Sequence, residues 1–287
     1  MFNHTTNQVN ELLQASFDRV GVYNQNRVNG ISDELIDNMI TYARLDEAET
    51  VLDAMGGNGN LIHQIYNFCR KNRLKLPKLS MLEYSQVQVE NAQHVLRGIS
   101  TQLIWGDMLS LYNFTNNQYL EPESFDRVLI KSSNHEISLE NQPQLYQNVF
   151  KILKPGGIFV NLGFLFDCPV ESQEFRNVAK VKDGLMGMES AVKNRHFIIR
   201  DNFYKFLNQA GFTDIKACEK FNYKITSDAL QSEYFSKLDD GVSLIQYQAS
   251  QAQAKILRKN GRIIFNGIKS IMYAPGEITF ARKPMQS

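Results

Sequence analysis

The chain has 287 residues, of which 43% are hydrophobic and 11% aromatic, and its formal net charge is +1 at pH 7. This composition is typical of a globular protein with a substantial core and excludes a largely disordered chain. The near-neutral charge argues against a nucleic-acid partner, because nucleic-acid binders usually present a strong positive field. The densest basic run, within residues 70–78, is interpreted as a solvated connector.

The sequence also indicates the surroundings in which the protein works. Its three cysteines are odd in number and form no CxxC pattern, so we expect reduced thiols and no metal site. The N-terminal residues show no basic start followed by an apolar block, and no apolar run reaches the length of about 20 residues that spans a membrane. We therefore expect a soluble, cytoplasmic protein without membrane insertion.

Strand-like and helix-like segments alternate through the middle of the chain. After the first strand-like segment, apolar residues recur with helical spacing, and after the second, Ser85 and Gln88 fit a capping box that opens another helix. The predicted strands span residues 49–54, 78–83, 102–105, 125–130 and 158–164. This alternation predicts an α/β fold with a doubly wound, mostly parallel, Rossmann-like sheet.

Ligands of such sheets bind beyond the carboxyl ends of the strands, so strand-terminal polar residues are the first candidates for a site. Asp53 ends the first strand, and Glu83 ends the second. Asp107 follows the third strand, and Lys131 follows the fourth. We expect these four side chains to lie along one edge of the sheet.

The turn after Asp53 is rich in glycine, which lets a backbone approach a ligand closely and leaves helix N–H groups pointing at it. A dinucleotide site would require G-x-G-x-x-G, but Ile62 stands where the third glycine is expected. The carboxylate of Glu83 can accept hydrogen bonds from two ribose hydroxyls, whether the ligand is a dinucleotide or another adenosine compound. Glu83 therefore does not distinguish these two kinds of ligand. Asp107 favours an adenine, whose amino group its carboxylate can bind.

Four motifs in this order resemble those of the class I S-adenosylmethionine-dependent methyltransferases. They are VLDAMGGNG (51–59), MLEYS (81–85), GDM (106–108) and LKPGG (153–157), and NQAGF (208–212) resembles the family's late helix end. The resemblance covers roughly residues 17–163 in good order and implies S-adenosylmethionine as the cofactor. The cofactor-binding residues that it implies are Tyr23, Asp53, Ala54, Met55, Gly56, Gly57, Glu83, Tyr84, Gly106, Asp107, Met108 and Lys131.

The first motif departs from the family pattern at one position. Met55 stands where the family usually has its first glycine, so we expect either ordinary backbone angles or a local adjustment there, with Gly56 supplying flexibility. The opening segment FDRVGVYNQ (17–25) is similar to that of methyltransferases acting on small apolar molecules, including those of quinone biosynthesis. That likeness places Tyr23 on a helical lid over the cofactor, where its ring could face the sulfonium.

The resemblance also implies a domain organisation. Residues 1–48 would form the helical lid, and residues 49–287 the methyltransferase core. Two long segments, at about 164–200 and 222–275, are extra and rich in aromatic residues, so we expect them to form a cap over the acceptor. The alternative is that these aromatic residues bury a satellite core of their own.

His135 follows the fourth strand and is the candidate catalytic residue, a general base for a hydroxyl acceptor. The alternative is that it shapes the loop or packs beneath the cofactor. We expect O-methylation of a small, largely apolar or aromatic metabolite, with C-methylation of a quinone-type acceptor as the alternative. Two other classes stay open, a nucleotide-dependent oxidoreductase and a noncatalytic module that binds an adenosine ligand. The sequence does not indicate the oligomeric state.

Overall fold

The structure, a computed structural model, describes residues 31–235 and 241–285. Ten strands of these residues form one sheet. The strands are β1 (Thr50–Ala54), β2 (Lys78–Glu83), β3 (Thr101–Asp107), β4 (Tyr112–Asn113), β5 (Gln118–Tyr119), β6 (Phe125–Lys131), β7 (Leu153–Phe164), β8 (Thr213–Thr226), β9 (Ile263–Asn266) and β10 (Lys269–Arg282).

Helices connect most of these strands. The α-helices are α1 (Asp33–Tyr42), α2 (Asn60–Lys71), α3 (Gln86–Val95), α4 (Gln142–Ile152), α5 (Pro169–Leu185), α6 (Glu189–Asn194), α7 (Arg200–Ala210), α8 (Ser227–Leu230), α9 (Val242–Gln253) and α10 (Lys255–Lys259). Short 3₁₀ helices lie at Leu45–Glu47 and Asn134–Glu136, and a π-helical turn lies at Gln231–Phe235.

The sheet has the strand order β5-β4-β3-β2-β1-β6-β7-β10-β8, and β9 pairs with β10. The five central strands, in the order β3, β2, β1, β6 and β7, run parallel to one another. Strand β10 lies between β7 and β8 and is antiparallel to both. Strands β1, β2 and β3 follow one another toward one edge of the sheet, and β6 then lies on the opposite side of β1. This topology confirms the doubly wound, mostly parallel, Rossmann-like fold, and it puts the reversal of strand order between β1 and β6.

Two apolar layers sandwich the sheet. Successive residues of a strand face opposite sides, so Val51 packs with α1, α2 and α3 while Leu52 packs with α4 and α7. Both side chains are fully buried. Serine caps fix the starts of α1 and α3, where Ser32 accepts from the Leu35 N–H and Ser85 from the Gln88 N–H, at 3.1 and 3.2 Å. The second of these is the cap predicted from the sequence.

The two long segments that the sequence analysis assigns to a cap contain helices. The first folds as α5 and α6. The second begins only after Thr226, because β8 continues to that residue and pairs there with Ile271 of β10. Residues of both segments share a third apolar cluster that includes Phe175 and Tyr247. The two segments therefore pack on each other at one end of the sheet.

The N-terminal segment assigned to the lid is described only from residue 31. Helix α1 buries Ile36, Met39 and Ile40 in the main core against the sheet, so this part of the segment belongs to the core. Residues 1–30, including Tyr23, lie outside the described residues, and the lid stays a prediction.

Candidate functional site

A cavity of about 490 Å³ opens where the strand order reverses. One end, the glycine-loop end, is lined by Asp53 of β1, the loop that follows it, Glu83 of β2 and Lys131 of β6. The other end, the cap end, is lined by side chains of α5, the strand β8 and the second cap segment. A volume of this size is in the range of small-molecule sites in proteins, which are mostly about 300–1,000 Å³.

The loop after β1 depends on unusual backbone angles. Met55 has φ of 61°, and Gly57 and Gly59 have φ of 57° and 82°, all in the left-handed region. The expectation of ordinary angles at Met55 is therefore wrong, and the local adjustment applies. Its carbonyl accepts a hydrogen bond from Ser133 Oγ at 3.1 Å, which ties the loop to the end of β6. Left-handed angles are uncommon for a residue with a side chain, and at this position they belong to a loop that lines the cavity.

Gly56 is required by close approach. A Cβ at this position would lie 2.5 Å from Met81 Cγ and 2.7 Å from Asp53 Oδ2. The absence of a side chain brings the backbone of Gly56 against the carboxylate of Asp53. The loop therefore surrounds that carboxylate closely on the side of the cavity.

The carboxyl group of Asp53 is 1% exposed. Among residues 31–235 and 241–285, its Oδ2 has no hydrogen-bond partner. Burial raises the pKa of Asp53 to about 7, opposed by the attraction of Lys131 and assisted by the charge of Glu83. A buried carboxyl oxygen without a donor is costly, so a ligand that supplied a donor here would be stabilised.

Glu83 lies beside the glycine loop and organises it. Its carboxylate accepts from the Gly57 N–H at 2.9 Å and from the Ser85 N–H at 2.8 Å, and it is 8% exposed. The same carboxylate thus holds both the loop after β1 and the start of α3. Glu83 lines the cavity, and its contact to a ribose remains a prediction.

The segment Gly106 to Met108 does not reach the described wall of the cavity. Asp107 accepts from the N–H groups of Leu109 and Ser110 at 2.9 and 3.2 Å, so its carboxylate holds its own loop. Met108 is buried in the core, and its carbonyl accepts from Asn148 Nδ2 at 2.7 Å. The predicted adenine contact of this segment remains a prediction.

Two other predicted cofactor residues also lie off the cavity wall. Ala54 is fully buried in the core at the end of β1. Tyr84 is half-buried and packs edge-to-face on Phe114, with ring centroids 5.8 Å apart, while its carbonyl accepts from Trp105 Nε1. Of the predicted residues that the structure describes, those gathered at the cavity are Asp53, Met55, Gly56, Gly57, Glu83, Lys131 and His135.

His135 lies in the 3₁₀ helix after β6 and lines the cavity. Its ring stacks on Phe197 at 5.4 Å with an interplanar angle of 7°, and it meets Phe164 edge-on at 5.0 Å. Its carbonyl accepts from the His196 N–H at 2.9 Å, which links the loop to the first cap segment. The two aromatic contacts restrict the orientation of the ring.

The cap end is aromatic, but not all of the cap's aromatic side chains reach it. The wall includes Phe164, Phe197, Tyr223, Tyr234, Tyr247 and Met272, together with Phe175 of α5. By contrast, Phe166 is fully buried in the cap's apolar cluster, and Phe265 is 37% exposed. Both alternatives for these residues thus apply, since some line the cavity and others bury a satellite core.

Sequence reasoning missed two cations at the cap end, Lys182 and Arg195. Both contact the fully buried carboxylate of Asp183, Lys182 Nζ at 2.5 Å and Arg195 Nε at 2.6 Å. Lys182 and Asp183 are neighbours in the chain, but α6 separates them from Arg195. No sequence pattern relates Arg195 to residues on the other side of α6. The contact between Arg195 and Asp183 could therefore be found only from the fold.

Among residues 31–235 and 241–285, no group of three or more histidine, cysteine or acidic side chains could hold a metal ion. In the same part of the chain, no helix combines the length and the apolar character that crossing a membrane requires.

No protein-family model matches the sequence, and neither does any curated protein. Solved structures do match. The YcgJ protein from Bacillus subtilis has a TM-score of 0.71 at 14% identity, with 88% of this chain and 98% of that chain covered. The cyclopropane synthase MmaA2 from Mycobacterium tuberculosis has a TM-score of 0.61 at 14% identity, with 95% and 98% covered.

Human N-acetylserotonin methyltransferase, solved in complex with S-adenosylmethionine, has a TM-score of 0.51 at 15% identity. The match covers 99% of this chain and 59% of that chain. At such identities the likeness concerns the fold, and the sheet order and the position of the glycine loop agree with it. The chain therefore has the Rossmann-like fold of the class I S-adenosylmethionine-dependent methyltransferases.

Proposed function

We propose that the protein is an S-adenosylmethionine-dependent methyltransferase that acts on a small, largely apolar or aromatic acceptor. The observation that carries this proposal is the buried Oδ2 of Asp53, which faces the glycine loop at the reversal of strand order. A ligand with a cationic or N–H donor group would supply the partner that this oxygen lacks among the described residues. S-adenosylmethionine carries both an ammonium and a sulfonium charge.

The residues of the glycine-loop end fit this cofactor in three respects. Gly56 leaves room beside Asp53, Glu83 can exchange a backbone N–H for ribose hydroxyls, and Lys131 can meet the cofactor's carboxylate. We further propose that Tyr23 covers this site from the N-terminal lid. The adenine side is assigned to Gly106, Asp107 and Met108 on motif order, supported by the pairing of Glu83 with Trp105, which puts this segment at the neighbouring strand end.

When bound, the cofactor supplies a methyl group that is already activated by the sulfonium. The chain's own task is then to hold the acceptor in line with this methyl group and to exclude water. Proximity and orientation can contribute about 7–11 kcal/mol to such a reaction. The aromatic wall of the cap end, with Phe175 and Tyr234, suits an apolar or aromatic acceptor and keeps water out.

We propose O-methylation, with His135 as the general base that takes the proton of a hydroxyl acceptor. The support is its ring on the cavity wall, oriented by Phe164 and Phe197. His135→Gln keeps much of the side chain's volume but removes the base, and we expect turnover to fall by about 10²-fold or more. Cofactor affinity should stay within about twofold. Near-normal turnover on an un-ionised hydroxyl would remove His135 from the mechanism.

C-methylation of a quinone-type acceptor is the alternative within the same class. The cyclopropane synthase among the similar structures is a reminder that one fold hosts different reactions. An acceptor that is already ionised as a phenolate can attack the methyl group through a ring carbon without a base at that step, and the ring proton is lost to solvent afterwards. His135→Gln would then be mild. Fragmentation of the methylated product by mass spectrometry identifies the atom that carries the new methyl group.

Ligand stabilisation tests the cofactor assignment against the two other classes. A ligand at 100 times its dissociation constant stabilises a protein by about 2.7 kcal/mol. S-adenosylmethionine and S-adenosylhomocysteine should therefore raise the melting temperature, whereas NAD and NADP should not. Equal stabilisation by NAD would favour an oxidoreductase. Stabilisation by adenosine ligands without methyl transfer to any extracted metabolite would favour a noncatalytic binding module.

A further inference from the structure

Helix α9 and the hairpin of β9 and β10 leave apolar side chains exposed on the outside of the cap. Val242 and Ile245 of α9 are 53% and 66% exposed, and Ile268 in the hairpin turn is 89% exposed. Residues three apart share one face of a helix, so Val242 and Ile245 lie side by side. Gln248 Nε2 donates to the carbonyl of Ile268 at 2.7 Å, which puts the hairpin turn against the same helix. The three apolar side chains therefore belong to one surface, which we call the outer cap face.

The hairpin turn has an unusual sequence. Two residues, Gly267 and Ile268, join β9 to β10, and Gly267 has φ of 59°. Such turns usually take glycine, asparagine, aspartate or serine, which suit their backbone angles. Ile268 instead presents an apolar side chain at the tip of the hairpin, with most of its surface in contact with water. Transfer of this side chain out of water would be favourable.

Cations border these apolar side chains. Lys255, Arg258 and Lys259 of α10 are exposed, and the Arg258 guanidinium lies 6.0 Å from the centroid of the Phe265 ring on β9. Within residues 31–235 and 241–285, none of these three cations forms an ion pair. The stretch 242–276, which contains them, has no aspartate or glutamate. The outer cap face therefore combines positive charge with exposed apolar side chains.

The other charges of this region are paired or lie outside the described residues. Arg262 lies 3.5 Å from Glu171, and Lys269 lies 2.7 Å from Asp228. Each of these pairs has no net charge, so neither adds to the positive charge of the face. Residues 239 and 240 are both aspartates and lie outside the described part of the chain. The positive charge of the outer cap face thus comes from α10.

We infer that the outer cap face docks on the surface of an anionic lipid bilayer, with Ile245 and Ile268 in the interface and the cations of α10 at the headgroups. Segments that lie on membranes combine these two features, apolar side chains that enter the interface and cations that meet anionic lipids. Aliphatic side chains do not provide the aromatic rings on which unpaired bases stack, so a single-stranded nucleic acid fits this face poorly. The docked chain lies on the bilayer and does not cross it.

The same elements connect the outer cap face to the cavity. Tyr247 of α9 and Met272 of β10 are part of the cavity wall. Because a helix with its side chains is about 10–12 Å across, docking would bring the cap end of the cavity close to the headgroups. Apolar small molecules concentrate in bilayers, so this position favours their entry into the cavity. The docking itself requires no cofactor, and its test is independent of the proposed function.

Co-sedimentation of the full chain with vesicles tests this inference. The protein should bind vesicles of phosphatidylcholine and phosphatidylglycerol, mixed at about 7:3, at least about tenfold more tightly than vesicles of phosphatidylcholine alone. Ile268→Asn puts a common turn residue at the tip and should lower the affinity about tenfold, because less apolar surface leaves water. Tyr119→Asn is the matched control, since Tyr119 is 68% exposed on β5 at the opposite edge of the sheet. It should leave the affinity unchanged.

A pair of double variants tests the role of the cations. Lys255→Gln with Lys259→Gln should lower the affinity for the mixed vesicles by about tenfold or more. Lys75→Gln with Lys78→Gln removes the same charge from exposed positions before and at the start of β2, and it should have little effect. An equal loss in both double variants would show general attraction of a cationic protein and would overturn the assignment of this face.

Two other results would also contradict the docking. One is the absence of binding to both kinds of vesicle, and the other is unchanged affinity in Ile268→Asn. Sedimentation velocity without lipid identifies the competing occupant, a second copy of the chain. A dimer that Ile268→Asn dissociates, in a protein that binds no vesicles, would overturn the inference and assign the outer cap face to self-association.

Discussion

The buried carboxyl group of Asp53 should make stability depend on pH in a way that one substitution removes. Its pKa is raised from the ordinary value of 3.8 to about 7, mainly by burial. Between these two values the folded protein binds more protons than the unfolded chain at this site. The free energy of unfolding should therefore fall as pH rises from about 4 to about 7, and the loss should persist above that range.

The size of the effect follows from the same shift. One pKa unit corresponds to about 1.4 kcal/mol, so ionisation of Asp53 should cost the ligand-free protein a few kcal/mol at pH 8. Asp53→Asn is similar in shape and does not titrate. Relative to the unaltered protein, the variant should gain a few kcal/mol between pH 4.5 and pH 8.

Urea unfolding of both proteins at the two pH values measures this difference, and other titrating groups cancel because both proteins share them. The variant should at the same time bind S-adenosylhomocysteine at least about tenfold more weakly, since it lacks the carboxylate charge. A difference in stability that is the same at pH 4.5 and pH 8 would refute the assignment of a raised pKa to Asp53. Unchanged affinity would refute its role toward the cofactor.

Three further substitutions probe the two ends of the cavity. Gly56→Ala should weaken S-adenosylhomocysteine binding by about tenfold or more in calorimetry. The reason is that the new Cβ would lie 2.7 Å from Asp53 Oδ2. Unchanged affinity would show that the loop does not approach the ligand. Tyr234→Ala should weaken the binding of 2-naphthol, an aromatic probe with a hydroxyl group, far more than the binding of S-adenosylhomocysteine, because Tyr234 lines the cap end. An equal loss of both affinities would contradict the cap assignment. Asp183→Asn removes a buried charge that pairs with Lys182 and Arg195. The free energy of unfolding in urea should fall by about 3–5 kcal/mol. A fall of less than about 1 kcal/mol would mean that these ion pairs are solvated.

The glycine-loop end could be predicted from the sequence because its chemistry is local. Asp53 and the glycines that follow it are adjacent in the chain, and the alternation of strands and helices places Glu83 and Lys131 at neighbouring strand ends. The backbone of Met55 was not predictable in the same way. Its left-handed angles are unfavourable for a residue with a side chain and are imposed by the surrounding structure.

The cap end could not be predicted because its contacts are long-range. Helix α5 buries Phe175, Val178 and Ala179 in an apolar cluster that it shares with the second cap segment, which is distant in the sequence. Tyr234 meets Lys182 across more than 50 residues of sequence, and Arg195 reaches Asp183 across α6. The antiparallel position of β10 between β7 and β8 likewise depends on pairings that no local pattern encodes.

The central claim is that the chain transfers a methyl group from S-adenosylmethionine to a small acceptor. Its most direct test is incubation of the protein with methyl-labelled S-adenosylmethionine and a pool of extracted small metabolites, followed by chromatography of the label. We predict label in a small, largely apolar or aromatic product, and a large loss of that label with Gly56→Ala. Protein that binds the cofactor but leaves all of the label on it, across pools extracted from several sources, would contradict the claim.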